Sequence, residues 1–199
     1  MFHKVEEFEN QIAEFYGAPY AVATDCCTHG IELCLRYTNV KSCSCYRNTY
    51  VSVPMTMCKL DIDWKWHTEV EWSDYYYIPN TNIIDGAVYW KKNGYIENTF
   101  TVLSFQFKKH LNLGKGGAIL CETLDDYTNL KKMSYDGRLP GENWEKQNID
   151  TIGYHYYMTP ETAMLGLEKL PEAIATEVVK RDWTTYPDVS KLKVFNGKY

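Results

Sequence analysis

The chain has 199 residues, 45% hydrophobic and 24% charged, with a formal net charge of -5. That size and balance suit one folded domain with a small appendage, and the acidic surplus excludes the global basic field that draws proteins to nucleic acid or anionic lipid. The longest apolar runs, such as Ala21–Thr24 and Gly117–Cys121, are strand-sized, which excludes a transmembrane helix.

The opening Met1-Phe2-His3-Lys4-Val5-Glu6-Glu7 turns acidic at once and lacks the apolar core of a signal peptide, so a cytoplasmic location is expected. Seven cysteines, an odd number, show neither zinc-knuckle nor CxxC spacing, and five histidines do not complete a ligand set. Free thiols in a reducing compartment, and no metal site, are expected.

Val5, Phe8, Ile12 and Phe15 recur at helical spacing and stop at Gly17, which predicts an amphipathic helix with a glycine end and an acidic, solvated face. Tyr20–Thr24 reads as a strand and residues 29–37 as a second helix. Cys43–Tyr46 reads as a short strand and Thr49–Cys58 as helical despite Pro54. Trp64–Tyr77, dense in Trp and Tyr, reads as short strands that belong to the core or a dimer interface.

Thr81–Ile84 forms a strand ending at Asp85. Tyr89–Trp90 and Tyr95–Ile96 flank an Asn93-Gly94 pair, which predicts a hairpin. Phe100–Phe105 and Gly117–Cys121 are two further strands. Thr123 with Asp126 forms a capping box for a helix to about Met133, and Thr159-Pro160-Glu161 opens another that carries Ala163 to Leu170. A separate helix is expected after Pro171, and an irregular tail from Asp182. Alternating strands and helices imply an α/β sheet, with ligands at the carboxyl ends of strands beside helix N-termini.

Three sets of residues fall at such places. Lys109 lies between a strand end and the turn Gly114-Lys115-Gly116-Gly117, where partial desolvation lowers an amine's pKa and readies it for a Schiff base. Taken alone, Lys108-Lys109 is also what an exposed loop pair looks like. Asp85, at a strand end, either faces a ligand or caps a turn. Thr28, after Asp25-Cys26-Cys27, either cradles a phosphate with the backbone of a helix N-terminus or is an ordinary N-cap.

Together, and in this order, these segments resemble the DegT/DnrJ/EryC1/StrS family of fold-type-I enzymes that use pyridoxal 5'-phosphate (PLP). The resemblance runs from about residue 5 to 171. It is carried by Phe15-Tyr16-Gly17-Ala18-Pro19-Tyr20, Cys26-Cys27-Thr28 in place of Ser-Gly-Thr, and Thr49-Tyr50. It continues through Ile84-Asp85-Gly86-Ala87, Ser104-Phe105 with Lys109 and Gly114-Lys115-Gly116-Gly117, and Gly153-Tyr154-His155-Tyr156-Tyr157-Met158.

The resemblance implies an α/β fold, the three-layer αβα sandwich of the family's large domain, compacted, over residues 1–171, with 172–199 as a C-terminal helix and tail. It implies PLP as cofactor, Lys109 as its Schiff-base lysine and proton shuttle, and Asp85 as partner of the pyridine nitrogen. Spacing from Ser104 and to Gly114 favours Lys109 over Lys108. Cys27, Thr28 and Ser104 would bind the phosphate and Tyr50 would stack on the ring. His155 would reach the neighbouring subunit's cofactor in a homodimer with shared sites. The implied reaction is transfer of an amino group from a small-molecule donor to a keto (nucleotide-)sugar.

Family members are longer and carry a C-terminal small domain. Here Val88 stands where the family has Gln or His, His155 where it has Asn, and Cys26-Cys27 where it has Ser-Gly. Three alternatives follow: a degenerate homologue acting as a binding module, a fragment completed by a partner chain, and, remotely, a nucleotide-binding protein without Walker spacing.

Overall fold

A computed structural model describes residues 1–196. Five helices, α1 (His3–Tyr16), α2 (Cys27–Tyr37), α3 (Ser52–Lys59), α4 (Leu124–Ser134) and α5 (Pro160–Ala175), surround seven strands. These are β1 (Tyr20–Thr24), β2 (Ser42–Cys45), β3 (Asp63–Trp66), β4 (Tyr76–Tyr77), β5 (Ile83–Gly86), β6 (Phe100–Ser104) and β7 (Gly117–Cys121). Five strands form one mixed sheet in the order β1-β7-β6-β5-β4, and β2 pairs with β3 in a separate parallel ribbon.

The sheet is buried on both faces, and its alternation divides the core. Val22, Val102, Ile119 and Cys121 point into a cluster with Ile31 and Leu35 of α2 and Leu130 of α4. Ala21, Ala23, Leu103, Ala118 and Leu120 point the other way, towards Phe8 and Ile12 of α1 and Ala163 and Leu170 of α5. The result is the expected three-layer sandwich, with strand faces set by the period of two. Gly166 lets α5 approach α1: a Cβ there would lie 2.5 Å from the Phe8 ring.

Helix ends follow local chemistry. Gly17 adopts φ 68° and closes α1 with bonds to the Ala13 and Glu14 carbonyls. The Thr123–Asp126 capping box opens α4, and Thr159 caps α5 through the Thr162 N–H. α2 starts at Cys27, two residues before the sequence reading placed it.

Three expectations need correction. Asn93-Gly94 does turn the chain, but no hairpin forms: the Asn93 and Tyr95 N–H groups donate to the Phe15 and Tyr16 carbonyls at the end of α1. A helix terminus leaves its last carbonyls without partners, and this loop satisfies them in preference to pairing with itself. Among the described residues no separate α-helix follows Pro171: α5 runs through it to Ala175, and only short 3-10 turns come after. Burial of Leu170 and Ala173 carries it past the proline, whose missing N–H removes one ladder bond. Nor is the acidic side of α1 wholly solvated. Glu9 is buried, accepts from the Ala23 N–H at 2.7 Å, and forms a 2.5 Å ion pair with buried Lys131.

Six cysteines, Cys26, Cys27, Cys34, Cys43, Cys45 and Cys121, are free thiols, as expected, and all but Cys26 are buried. Among the described residues no helix is long and apolar enough to cross a membrane.

Candidate active site

β1, β5 and β6 run parallel to one another, and β7 returns antiparallel between β1 and β6. The carboxyl ends of three strands and the start of β7 therefore share one edge, where Thr24 and Ser104 both register with Gly117. Glycine is required at 117, because a Cβ would lie 2.6 Å from the Cys26 carbonyl carbon and the Cys27 nitrogen. The turn into β7 thus sits directly on the N-terminus of α2.

Asp85, near the end of β5, is 5% exposed. Its Oδ2 accepts from the Tyr76 hydroxyl at 2.5 Å and its Oδ1 from the Ala87 N–H at 2.9 Å. Burial pushes its carboxyl above the usual range, while those two bonds and the charge of Lys109 act in the opposite sense. A Tyr hydroxyl has one proton. With Tyr76 donating to Asp85, the Thr49 hydroxyl donates to Tyr76 in turn.

Lys109 follows β6 in a loop pinned by buried Leu111 and Leu113. Lys108 is exposed, whereas Lys109 turns inward and its ammonium donates to the Tyr186 hydroxyl at 3.4 Å. Burial lowers the amine's pKa, Cys27 and Asp85 partly restore it, and Arg181 and Lys108 depress it further. Lys109 and Asp85 therefore share one electrostatic environment.

Cys27 opens α2, buried, with its thiol directed at the Val102 carbonyl (3.8 Å). Burial raises its pKa well above the ordinary thiol value. Thr28 shares a 2.7 Å hydrogen bond with Ser52. No side chain caps α2, which leaves its first-turn N–H groups directed at the sheet edge. Ser104 is half-buried at the end of β6.

Tyr50 and Val88 line a cavity of about 10 Å³ together with Thr49, Trp72, Tyr76, Asp85, Ala87 and Tyr186. The structure does not bring His155 into this group. Its side chain is 71% exposed, bonds Asp136 at 3.0 Å, and lines a separate cleft of about 280 Å³ with Asp25 and Lys115.

Four contributors were not singled out from the sequence. Tyr76 and Trp72 lie in the aromatic stretch assigned to core or interface, and Tyr186 lies in the tail read as irregular. Thr49 entered only as the neighbour of Tyr50. Asp25 is also more than a loop residue: it bonds His29 at 2.7 Å and Lys115 at 2.8 Å. Asp25, Cys26 and His29 offer oxygen, sulfur and nitrogen atoms within 4.8 Å of one another, but the Lys115 ammonium already balances the carboxylate and opposes a cation.

The donor set fits PLP. A half-buried amine, a buried carboxylate with acceptor capacity to spare, an uncapped helix N-terminus and two hydroxyls, on Thr28 and Ser104, lie at one sheet edge. The room is taken: beside the Tyr186 ring, 10 Å³ remain, about enough for one water. Tyr186 is itself an aromatic ring with a hydroxyl on Lys109, so this space accommodates a ring of that size.

The profile of the DegT/DnrJ/EryC1/StrS aminotransferase family matches residues 1–57 and 84–188. No curated protein matches the chain by sequence. Among solved structures, AtS13 from Actinomadura melliaura is similar with a TM-score of 0.75 and 18% identity, over 86% of this chain and 60% of that one. PseC from Helicobacter pylori, an aminotransferase involved in the biosynthesis of pseudoaminic acid, gives 0.69 and 13%, over 86% and 58%. The sugar aminotransferase CalS13 from Micromonospora echinospora gives 0.67 and 14%, over 86% and 61%. The chain thus spans about 60% of the length of AtS13.

Proposed function

The chain belongs to the DegT/DnrJ/EryC1/StrS aminotransferase family, and from that premise we propose that it is a minimal PLP-dependent aminotransferase whose site is built by Lys109 and Asp85. The observation that carries this reading is their convergence on one ring: half-buried Lys109 donates to the Tyr186 hydroxyl, and buried Asp85 lines the same cavity as Tyr186, at the carboxyl edge of the sheet. Residues 1–171 would then form the unit that carries the site, and 172–199 an appendage whose Tyr186 closes it.

Lys109 would hold the cofactor covalently, and its depressed pKa favours the neutral amine that such a bond requires. Asp85 would face the ring nitrogen. The first-turn N–H groups of α2, with Thr28 and Ser104, would hold the phosphate, and Tyr50 would cover the ring. When bound, PLP supplies an electron sink for a substrate carbanion. Lys109 is then the group placed to move the proton.

The substrates in this reading are an amino donor and a keto (nucleotide-)sugar, by analogy with CalS13 and PseC. In this reading His155 would serve the partner's site in a homodimer. A degenerate, cofactor-free homologue is the competing reading, favoured by the small room beside Asp85.

The test adds a panel of amino acids to the PLP-treated protein and follows the cofactor's visible absorbance. The reading expects a donor-dependent change that Lys109→Ala abolishes. No change with any donor, despite bound PLP, would leave a cofactor-binding protein that does not transaminate.

A further inference from the structure

The tail returns to the site it follows. After α5 ends at Ala175, residues 176–181 lead to a segment bonded along the rim of the cavity. Trp183 N–H donates to the Trp72 carbonyl at 3.1 Å, and Ser73 bridges Asp182. The Asn48 amide donates to the Tyr186 carbonyl at 2.9 Å. Beyond it, Val189 N–H donates to Arg47, and Phe195 is buried against Trp64 and Trp66.

Between those anchors, one ring enters the site. The Tyr186 ring lies 5.5 Å from that of Trp72, its hydroxyl receives the Lys109 ammonium, and it shares the cavity wall with Tyr50, Asp85 and Val88. Burial raises its pKa, and Asp85 and Cys27 act in the same sense. The neighbours Thr184, Thr185 and Pro187 are exposed. The segment is therefore held by a few rim hydrogen bonds and one aromatic side chain, whereas the apolar anchors lie after it.

We infer that residues 182–188 are an internal stopper of the cofactor site, with Tyr186 acting as a built-in competitor of the PLP ring. The inference rests on the reading of the preceding subsection, and it adds regulation: the site opens when this segment lifts while Val189 and Phe195 stay docked. A site competent for only a minor fraction of the time binds its ligand more weakly by that fraction.

The experiment compares the full chain with Tyr186→Ala and Tyr186→Phe, using PLP absorbance titration and the effect of phenol on the thermal midpoint. Tyr186→Ala is expected to bind PLP about 10- to 100-fold more tightly, as removal of a stopper from a site open 1–10% of the time requires. Phenol should raise the midpoint of Tyr186→Ala alone, by filling the vacated space. Tyr186→Phe keeps the ring and should stay near the unsubstituted chain. If Tyr186→Ala does not fold, Asn48→Ala, which removes one rim bond, should still tighten PLP binding.

Folded Tyr186→Ala with neither phenol stabilisation nor tighter PLP binding overturns the stopper. Phenol stabilisation with no PLP binding in any variant shows a ring-sized cavity alone and overturns the stopper together with the cofactor reading. Equal PLP affinity in all three proteins overturns the stopper and leaves the cofactor reading standing.

Discussion

Tyr76 and Asp85 sit opposite each other in the β4–β5 register, and the Tyr76 hydroxyl donates to Asp85 Oδ2 at 2.5 Å. This pair ties a two-residue strand to the centre of the candidate site. Tyr76→Phe removes the donor and leaves a buried acceptor with only the Ala87 bond, which costs about 1–3 kcal/mol of stability. Urea unfolding measures it, and an unchanged midpoint would show that the pair carries no net stability.

The buried ion pair under α1 is more sensitive. Lys131→Met strands the Glu9 carboxylate among apolar groups, with only the Ala23 N–H and the Tyr127 hydroxyl to serve it. The expected loss is about 3–5 kcal/mol, the range for breaking one side of a buried pair. Glu9→Gln together with Lys131→Met should recover part of it, and a double substitution no better than Lys131→Met would contradict this account.

At the helix interface, Gly166→Ala places a methyl 2.5 Å from the Phe8 ring. Phe8 is itself packed edge-on against Phe105, so it has little freedom to move away. Overpacking of this kind costs about 1–3 kcal/mol. A thermal midpoint equal to that of the unsubstituted chain would mean that α5 shifts without penalty.

His29 gives the fold a pH dependence. Its hydrogen bonds to Asp25 and Cys26 raise its pKa from the ordinary 6.5 to about 9. The folded state holds this proton more tightly than the unfolded chain. The stabilisation is therefore complete below pH 6.5 and is lost as pH rises through 9. His29→Gln should flatten that part of the urea-midpoint profile; an unaltered slope would assign the dependence to another group.

The sandwich was legible in the sequence because its signals are local. The apolar runs at residues 100–105 and 117–121, the Thr123 and Thr159 caps and Gly17 each act within a turn or strand. The positions of Asp85 and Lys109 at strand ends and of Thr28 at a helix start were legible too, since strand and helix boundaries are marked locally. What could not be read was long-range pairing. The Asn93-Gly94 turn looks like a hairpin until the end of α1 supplies acceptors for it. Tyr76 is one of several tyrosines in its stretch until β4 registers it against Asp85. Tyr186 reaches Lys109 only because the tail folds back across the sheet edge, and its local sequence carries no periodicity to announce this.

The central claim is that Lys109 is the residue that takes the cofactor. Treatment of the folded chain with PLP and borohydride, followed by peptide mass mapping, tests it most directly. The account expects a reduced pyridoxyl adduct on Lys109, none on Lys108, more of it in Tyr186→Ala, and none at this site in Lys109→Ala. An adduct that persists at Lys108 in Lys109→Ala, or no adduct on Lys109 even in Tyr186→Ala, would contradict it.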